Sequence, residues 1–288
     1  MSSPSEIVFC AGNLNYDLLF STSRMPAEHE KLVCAGLAAQ AGGAAANTAY
    51  WLASIGVHAA MLGAVGADPF GALCLDSLRS AGVDVETVVT AEGENTGITC
   101  IFTDGRSKRM VTNRGANSRF PLQRAAQALA KGGRHLHAAM NDAADCAELL
   151  RLAAAHGMTT SCECSGLLLQ EIPRADLYFM NHDELCRLFE SGEPLDAWRA
   201  LCGGRQAWVI ITEGERGARA VSGDAAWIRP ARAVTPVDRT GGGDAFNAGF
   251  LGSFLAGEPV PAALDAGLAL AAEVIDGMGA RPARRMRQ

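Results

Sequence analysis

Short apolar runs alternate with longer stretches of helical periodicity along most of this chain. "EIVFCAG" opens as a strand, and "AAANTAYWLASIG" reads as a helix stopped at Gly56. "VHAAMLGAVG" reads as a strand, then "DPFGALCLDSLRSAG" as a helix with a proline in its first turn. The rhythm resumes with strand "RHLHAAM", helix "DAADCAELLRLAAAHG", and strands "MTTSCE" and "DLYFMN". Helix "HDELCRLFE", strand "AWVIIT", a hairpin through "ARAVSGDAAWIRPA" and two long alanine-rich helices follow. Strand–helix alternation predicts an α/β fold with a mostly parallel sheet covered by helices on both faces.

Two segments depart from this rhythm. Residues 13–40 follow the first strand but lack helical spacing, and residues 95–117 read as a β-hairpin turning at Asp104-Gly105. Together they predict a small sheet outside the main one. Nothing between them and the rest resembles a linker, so a single domain over 1–288 is expected.

Composition narrows the function classes. The net charge of -6 argues against a nucleic-acid partner. The terminal "ARRMRQ" reads as a frayed basic tail. Residues 34–67 carry no Asp, Glu, Lys or Arg, but glycines, Gln40, Asn47 and His58 interrupt them, which fits loop, helix and strand better than a membrane span. "MSSPSEIVFC" has no basic start and no long apolar run of a signal peptide. Nine scattered cysteines then read as reduced thiols of a cytoplasmic protein. Cys162 and Cys164 lack a second pair at zinc spacing. His135 and His137 alternate on a strand and read as structural.

The chemistry concentrates in "TGGGDAFNAGFLGSFLAG". Unpaired N–H groups at a helix start make an anion site, and glycines let a phosphate approach them. The Walker pattern G-x-x-x-x-G-K-[ST] and the G-x-G-x-x-G fingerprint are both missing from the sequence. Asp244 is the odd member, because a carboxylate beside phosphate repels it. Accepting the proton of a hydroxyl that attacks a phosphoryl group would explain it. The bland alternative is an acid that merely complements the helix dipole.

At this point the sequence resembles the ribokinase family of carbohydrate and nucleoside kinases (the PfkB type). Asp238-Arg239-Thr240-Gly241-Gly242-Gly243-Asp244 is similar to that family's D-T-x-G-A-G-D. "GGAAANTAYWLASIG" matches its Gly-Gly motif, and "GAVGADPFG" its G-x-V-G-x-D-x-F-G. Asn181 and Glu184 match N-x-x-E, and Thr212, Gly214 and Gly217 match T-x-G-x-x-G. The five motifs come in order over almost the whole chain.

The resemblance implies a three-layer sandwich with a small β-sheet lid formed by about 13–40 and 95–117. It implies Asp244 as general base and the amides of Gly241, Gly242 and Gly243 as the anion site. Asn15, Asp17, Gly42, Gly43 and Asn47 would hold the acceptor. Asn181, Thr212, Gly214 and Gly217 would line the nucleotide site, and Glu184 would hold Mg²⁺ through water. Asp238 and Thr240 fall where relatives bind a monovalent cation such as K⁺. The implied partners are ATP and a sugar or nucleoside, with a homodimer through the lid left open. Departures stand beside these matches. Arg239 replaces a commoner threonine, Ala44 stands where ribose-specific relatives carry lysine, "SCECSG" offers Glu163 in place of Asp-x-Asn, and no Asn or His lies near Leu268. The implied activity is phosphorylation of a sugar's primary hydroxyl by ATP, with a nucleoside as the alternative acceptor. A non-catalytic binding protein would have no need of Asp244, and a dinucleotide oxidoreductase lacks its glycine fingerprint.

Overall fold

A computed structural model describes residues 6–104 and 107–282. In chain order it runs β1 (Val8–Gly12), β2 (Asn15–Ser21), β3 (Gly36–Gly42), α1 (Ala44–Ser54), β4 (Ala59–Leu62), β5 (Ala64–Gly66) and α2 (Pro69–Ser80). Next come β6 (Val89–Ala91), β7 (Gly97–Thr103), β8 (Lys108–Asn113), α3 (Leu122–Leu129), β9 (His135–Ala139), α4 (Ala143–Ala155) and β10 (Thr159–Glu163). The remainder is β11 (Leu177–Asn181), α5 (His182–Leu188), α6 (Pro194–Cys202), β12 (Trp208–Thr212), β13 (Ala218–Ser222), β14 (Ala225–Arg229), α7 (Gly242–Leu255) and α8 (Val260–Ile275).

Eight strands form the main sheet in the order β14-β13-β12-β11-β10-β9-β1-β4. From β12 to β4 every pairing is parallel, while β13 and β14 close one edge as the antiparallel hairpin. Side chains of a strand alternate faces. On β1, Val8 and Cys10 accordingly enter one core with α1, α7 and α8, while Phe9 and Ala11 enter another with α3 and α4. Three layers follow from that alternation.

A second sheet runs β3-β2-β7-β8 and is built from the two irregular segments. Its central pairing, β2 with β7, is parallel and joins residues more than eighty positions apart. Gly105 of the expected turn and the arginine tail at 283–288 lie outside the described residues.

The expected strand "VHAAMLGAVG" is divided. Residues of β4 pair with β1, but after Gly63 the chain changes partner and β5 pairs with β6. Helices α3 and α6 and the short β6 are additions to the sequence reading. Among the described residues no helix is long and apolar enough to cross a membrane. The charge-free stretch 34–67 supplies β3, α1, β4 and β5 instead.

Helix α7 begins with two glycines, each of which costs about 1 kcal/mol of helix propensity. Phe246 and Phe250 lie one turn apart and are buried against α8 and the sheet. Burying such rings contributes about 1.5–3 kcal/mol each, which outweighs the glycines. Packing therefore starts a helix where local preference would not.

Candidate active site

The site lies beyond the carboxyl ends of the parallel strands, where open α/β sheets bind ligands. Glu163 ends β10, Asn181 ends β11 and Thr212 ends β12. The glycine turn leads into α7 on the same side, and the lid strand β2 leaves β1 there.

Gly241 takes the left-handed conformation with φ +78°, and its backbone presses on the Cα of Ala280, only 2.6 Å from where a side chain would start. The turn therefore needs glycine at this point. The Gly242 amide donates to the Arg239 carbonyl at 3.3 Å, and the Ala245 amide donates to the Gly241 carbonyl at 2.9 Å. Among the described residues the amides of Gly241, Gly243 and Asp244 have no hydrogen-bond partner. Two of the three expected glycine amides are thus open to an anion, together with that of Asp244. Gly243 faces open space.

Asp244 is half-buried in the first turn of α7. Its Oδ2 accepts from Asn47 Nδ2 at 2.7 Å. Burial pushes the carboxyl above its ordinary range, the Asn47 hydrogen bond and the Arg281 charge pull it back, and Asp17 pushes it further up. Asp17 projects from β2 across Gly42, where any side chain would collide with its carboxylate. Asn47 is buried at the start of α1, and its Oδ1 accepts from Arg281 Nε at 2.8 Å. Both ends of this amide are engaged by protein groups. Asn15 accepts from Asn117 Nδ2 at 2.8 Å, and Asn117 also bonds both backbone groups of Leu14. Asn15 thus fixes the root of the lid.

On the other side of Asp244 lies a cleft of ≈ 770 Å³ reached by Thr212, Gly214, Gly217, Gly242 and Gly243. Phe246, Leu268, Ala271 and Ile275 form an apolar wall suited to a flat ring. Arg239 also borders the cleft and pairs with exposed Glu215 at 2.6 Å.

Between cleft and core, Glu163, Asn181, Glu184, Thr212, Gly243 and Asn247 surround a small hollow of ≈ 60 Å³. The N-x-x-E pair serves the helix first. Asn181 Oδ1 accepts from the Glu184 amide at 2.8 Å, and Glu184 Oε2 accepts from the Asn181 amide at 2.9 Å, a reciprocal cap on α5. Burial raises the carboxyl of Glu184. Glu163 is raised more strongly, by burial and then by the charge of Asp244, while Ser165 opposes the rise. Asn247 Nδ2 donates to Glu163 Oε2 at 3.2 Å. Oxygen ligands and crowded negative charge are the chemistry a hard divalent cation relieves. Among the described residues no group of three or more His, Cys, Asp or Glu side chains is arranged to hold a metal ion by itself. A metal here would keep most of its water.

Asp238 faces its own loop. Its Oδ1 accepts from the Thr240 amide and hydroxyl at 2.9 and 2.8 Å, and its Oδ2 accepts from the Gly279 amide at 2.9 Å. His135 and His137 are buried and joined through Ser161 at 2.8 Å, in keeping with a structural role. Burial holds both well below the usual histidine range. All nine cysteines are free.

A pfkB family carbohydrate kinase model matches residues 5–285. The chain belongs to the PfkB family of carbohydrate kinases. It is 29% identical over 287 residues to an ATP-dependent ribose-1-phosphate kinase of Halopiger xanaduensis, covering 96% of this chain and 94% of that one. A nucleoside kinase of Methanothermobacter thermautotrophicus is 25% identical over 268 residues, covering 88% and 84%. A ribokinase structure from Cryptococcus neoformans, in complex with ADP, superposes with a TM-score of 0.82 at 23% identity, covering 96% of both chains. The fold is that of ribokinases, and the protein is an ATP-dependent kinase of the sugar and nucleoside kinase group.

The site joins Asp244, Asn47, Asp17 and the glycine turn to Glu184, Asn181 and Thr212. Sequence reasoning missed Arg281, which stands alone after α8 without any motif spacing. Glu163 was visible only as a departure from Asp-x-Asn. Tyr16 and Phe20, the aromatic residues of the first lid segment, lie on the face of β2 opposite Asp17, since strand faces alternate. Tyr16 packs on Phe70 with ring centroids 5.0 Å apart, and Phe20 stacks on Phe102 at 5.2 Å.

Proposed function

We propose that this kinase transfers the terminal phosphoryl group of ATP to a primary hydroxyl of a sugar, with Asp244 as general base. The observation that carries the reading is the position of Asp244. It stands between the Asn47 and Asp17 side chains on one side and the open glycine amides bordering an apolar cleft on the other. In this reading the hydroxyl proton passes to Asp244 as the new O–P bond forms. The bond from the phosphorus to the bridging oxygen breaks, and that oxygen leaves with ADP. The amides of Gly241 and Gly243 donate to the transferred group as its charge shifts. Lid strands over the acceptor keep water from competing.

Mg²⁺ belongs near Glu184, Asn181 and Glu163, whose oxygens suit it, and would neutralise phosphate charge there. For K⁺ the Asp238–Thr240 turn is the candidate. Three donors already occupy the Asp238 carboxylate, so only a modest stimulation is expected when K⁺ replaces a large organic cation. A homodimer through the lid fits the exposed Leu37, Met110 and Val111 of the second sheet, and light scattering reads it directly. The nine free thiols suit a cytoplasmic setting, which cell fractionation checks.

Asp244→Asn tests the central claim. It keeps the size of the side chain and removes the base, so kcat should fall by at least ~10²-fold while acceptor binding changes little. Near-normal turnover would remove Asp244 from the chemistry.

A nucleoside remains the second reading, supported by the nucleoside kinase among the relatives. The lid aromatics argue against it, because Tyr16 and Phe20 face away from Asp17.

A further inference from the structure

Arg281 follows α8 on the last described turn of the chain, yet it reaches back to the catalytic side of α1. Its Nε donates to Asn47 Oδ1 at 2.8 Å, and its Nη1 donates to Ser77 Oγ on α2 at 2.8 Å. The guanidinium carbon lies 5.2 Å from the centroid of the Tyr50 ring, within range of a cation–π contact. Ser77 and Tyr50 thereby fix the plane of the group. Asn47 in turn donates from Nδ2 to Asp244 Oδ2 at 2.7 Å.

An amide side chain has two nearly isosteric ends, one accepting and one donating, and it turns over at little steric cost. Asp244 alone prefers the donating end. Arginine strengthens that choice from the other side because it has only donors. With the amide reversed, NH₂ would meet guanidinium and carbonyl would meet carboxylate. Both contacts would be repulsive at under 3 Å. Arg281 and Asp244 therefore clamp one orientation of Asn47 between them.

We infer that Arg281 is a positioning residue for phosphoryl transfer: through Asn47 it locks Asp244 Oδ2 and leaves Oδ1 to receive the acceptor hydroxyl. This rests on the reading of Asp244 as the base. The backbone beside Arg281 supports the same geometry. The Ala280 carbonyl accepts from Trp51 Nε1 at 3.0 Å, and the Gly279 amide donates to Asp238. The segment bearing the arginine is thus tied to α1 and to the start of the glycine turn. Burial lowers the guanidinium to about 10, which still leaves it charged at neutral pH.

The test compares Arg281→Ala, Asp244→Asn and the double variant in the full chain. Arg281→Ala should lower kcat about 10- to 100-fold, the scale on which a misplaced catalytic group acts, with the KM for ATP nearly unchanged. Guanidinium chloride at about 20 mM should restore part of that loss, and sodium chloride should not. In the double variant the arginine loss should vanish, because no base is left to position. A kcat within about threefold of wild type, or losses that multiply in the double variant, would overturn the inference. Should Arg281→Ala fail to fold, Arg281→Lys answers the question. A lysine cannot hold Asn47 and Ser77 in one plane, so a smaller loss that also disappears beside Asp244→Asn is expected, and unchanged kcat overturns the proposal. If Asp244→Asn alone is near normal, the base reading fails, and that result is separate from any effect of Arg281.

Discussion

Asp244 carries two opposed influences. Burial and Asp17 raise its carboxyl, while Asn47 and Arg281 hold it down, and burial dominates. The neighbouring Glu163, on β10, is raised as well, by burial and then by the charge of Asp244. A base works only when ionised. The acid limb of kcat/KM should therefore lie above the range of an ordinary aspartate, near 3.9. Activity should be lost as pH falls through the raised value and recover as pH rises. A rate that stays flat down to about pH 4 would contradict the raised carboxyl. As a candidate this residue was legible because its setting is contiguous: glycines, acid and helix start share one stretch. Arg281 was illegible for the opposite reason. Its partners Asn47 and Ser77 are more than two hundred positions away, and a single arginine before a basic tail carries no pattern.

The motifs that marked the family also hold elements together. In "GAVGADPFG", Asp68 caps α2 by accepting from the Gly71 amide at 2.8 Å. It also accepts from the amide and hydroxyl of Thr96, both at 2.7 Å, just before lid strand β7. Burial alone would raise this carboxyl, but the hydrogen bonds from Thr96, Gly71 and Phe70 outweigh it and hold it low. Asp68→Ala should cost about 1–3 kcal/mol, read as a lower Tm at neutral pH. Because the folded value is depressed, this contribution is full above the unfolded value and fades as pH falls through the folded one. The gap in Tm should then narrow in acid; an equal gap at every pH would assign the loss to packing instead. At Glu184 the observed cap and the proposed metal role can be separated more cleanly. Glutamine accepts a hydrogen bond as glutamate does, so Glu184→Gln preserves the cap on α5. Its Tm should stay put while the Mg²⁺ concentration for half-maximal rate rises. An unchanged Mg²⁺ curve would leave Glu184 as a capping residue only. At this scale the sequence showed most helices and strands, but not the break at Gly63. Its apolar run continues unbroken while the backbone changes partner, and only the placement of β6 reveals that.

For the whole molecule, alternation of strands and helices foretold the parallel sheet, whereas the strand order and the lid depend on contacts between distant segments. In the proposed reading the lid also selects the acceptor. Strand β2 pairs with β7 through Asn15↔Gly97 and with β3 through Asn15↔Gly42, which sets Asn15 and Asp17 on one face and the aromatics on the other. A polar face of carboxylate and amide matches adjacent sugar hydroxyls. A nucleoside base would want a ring to stack on, and Tyr16 and Phe20 are already packed on Phe70 and Phe102. A free sugar is therefore the acceptor we propose. The deciding measurement is relative kcat/KM, with ATP as donor, for ribose, fructose, 2-keto-3-deoxygluconate, adenosine, inosine and cytidine. Ribose 1-phosphate joins the panel because a relative is named for it. The lead should fall to a free sugar. A nucleoside ahead of every sugar by more than about tenfold, roughly 1.4 kcal/mol of transition-state binding, would reverse the choice and require a base-stacking surface other than Tyr16 and Phe20. Ribose 1-phosphate ahead by the same margin would place an anion beside Asp17 and Asp244. Two carboxylates repel such a group, so that outcome would require the Arg281 guanidinium, which already interacts with both, or a further cation to outweigh them.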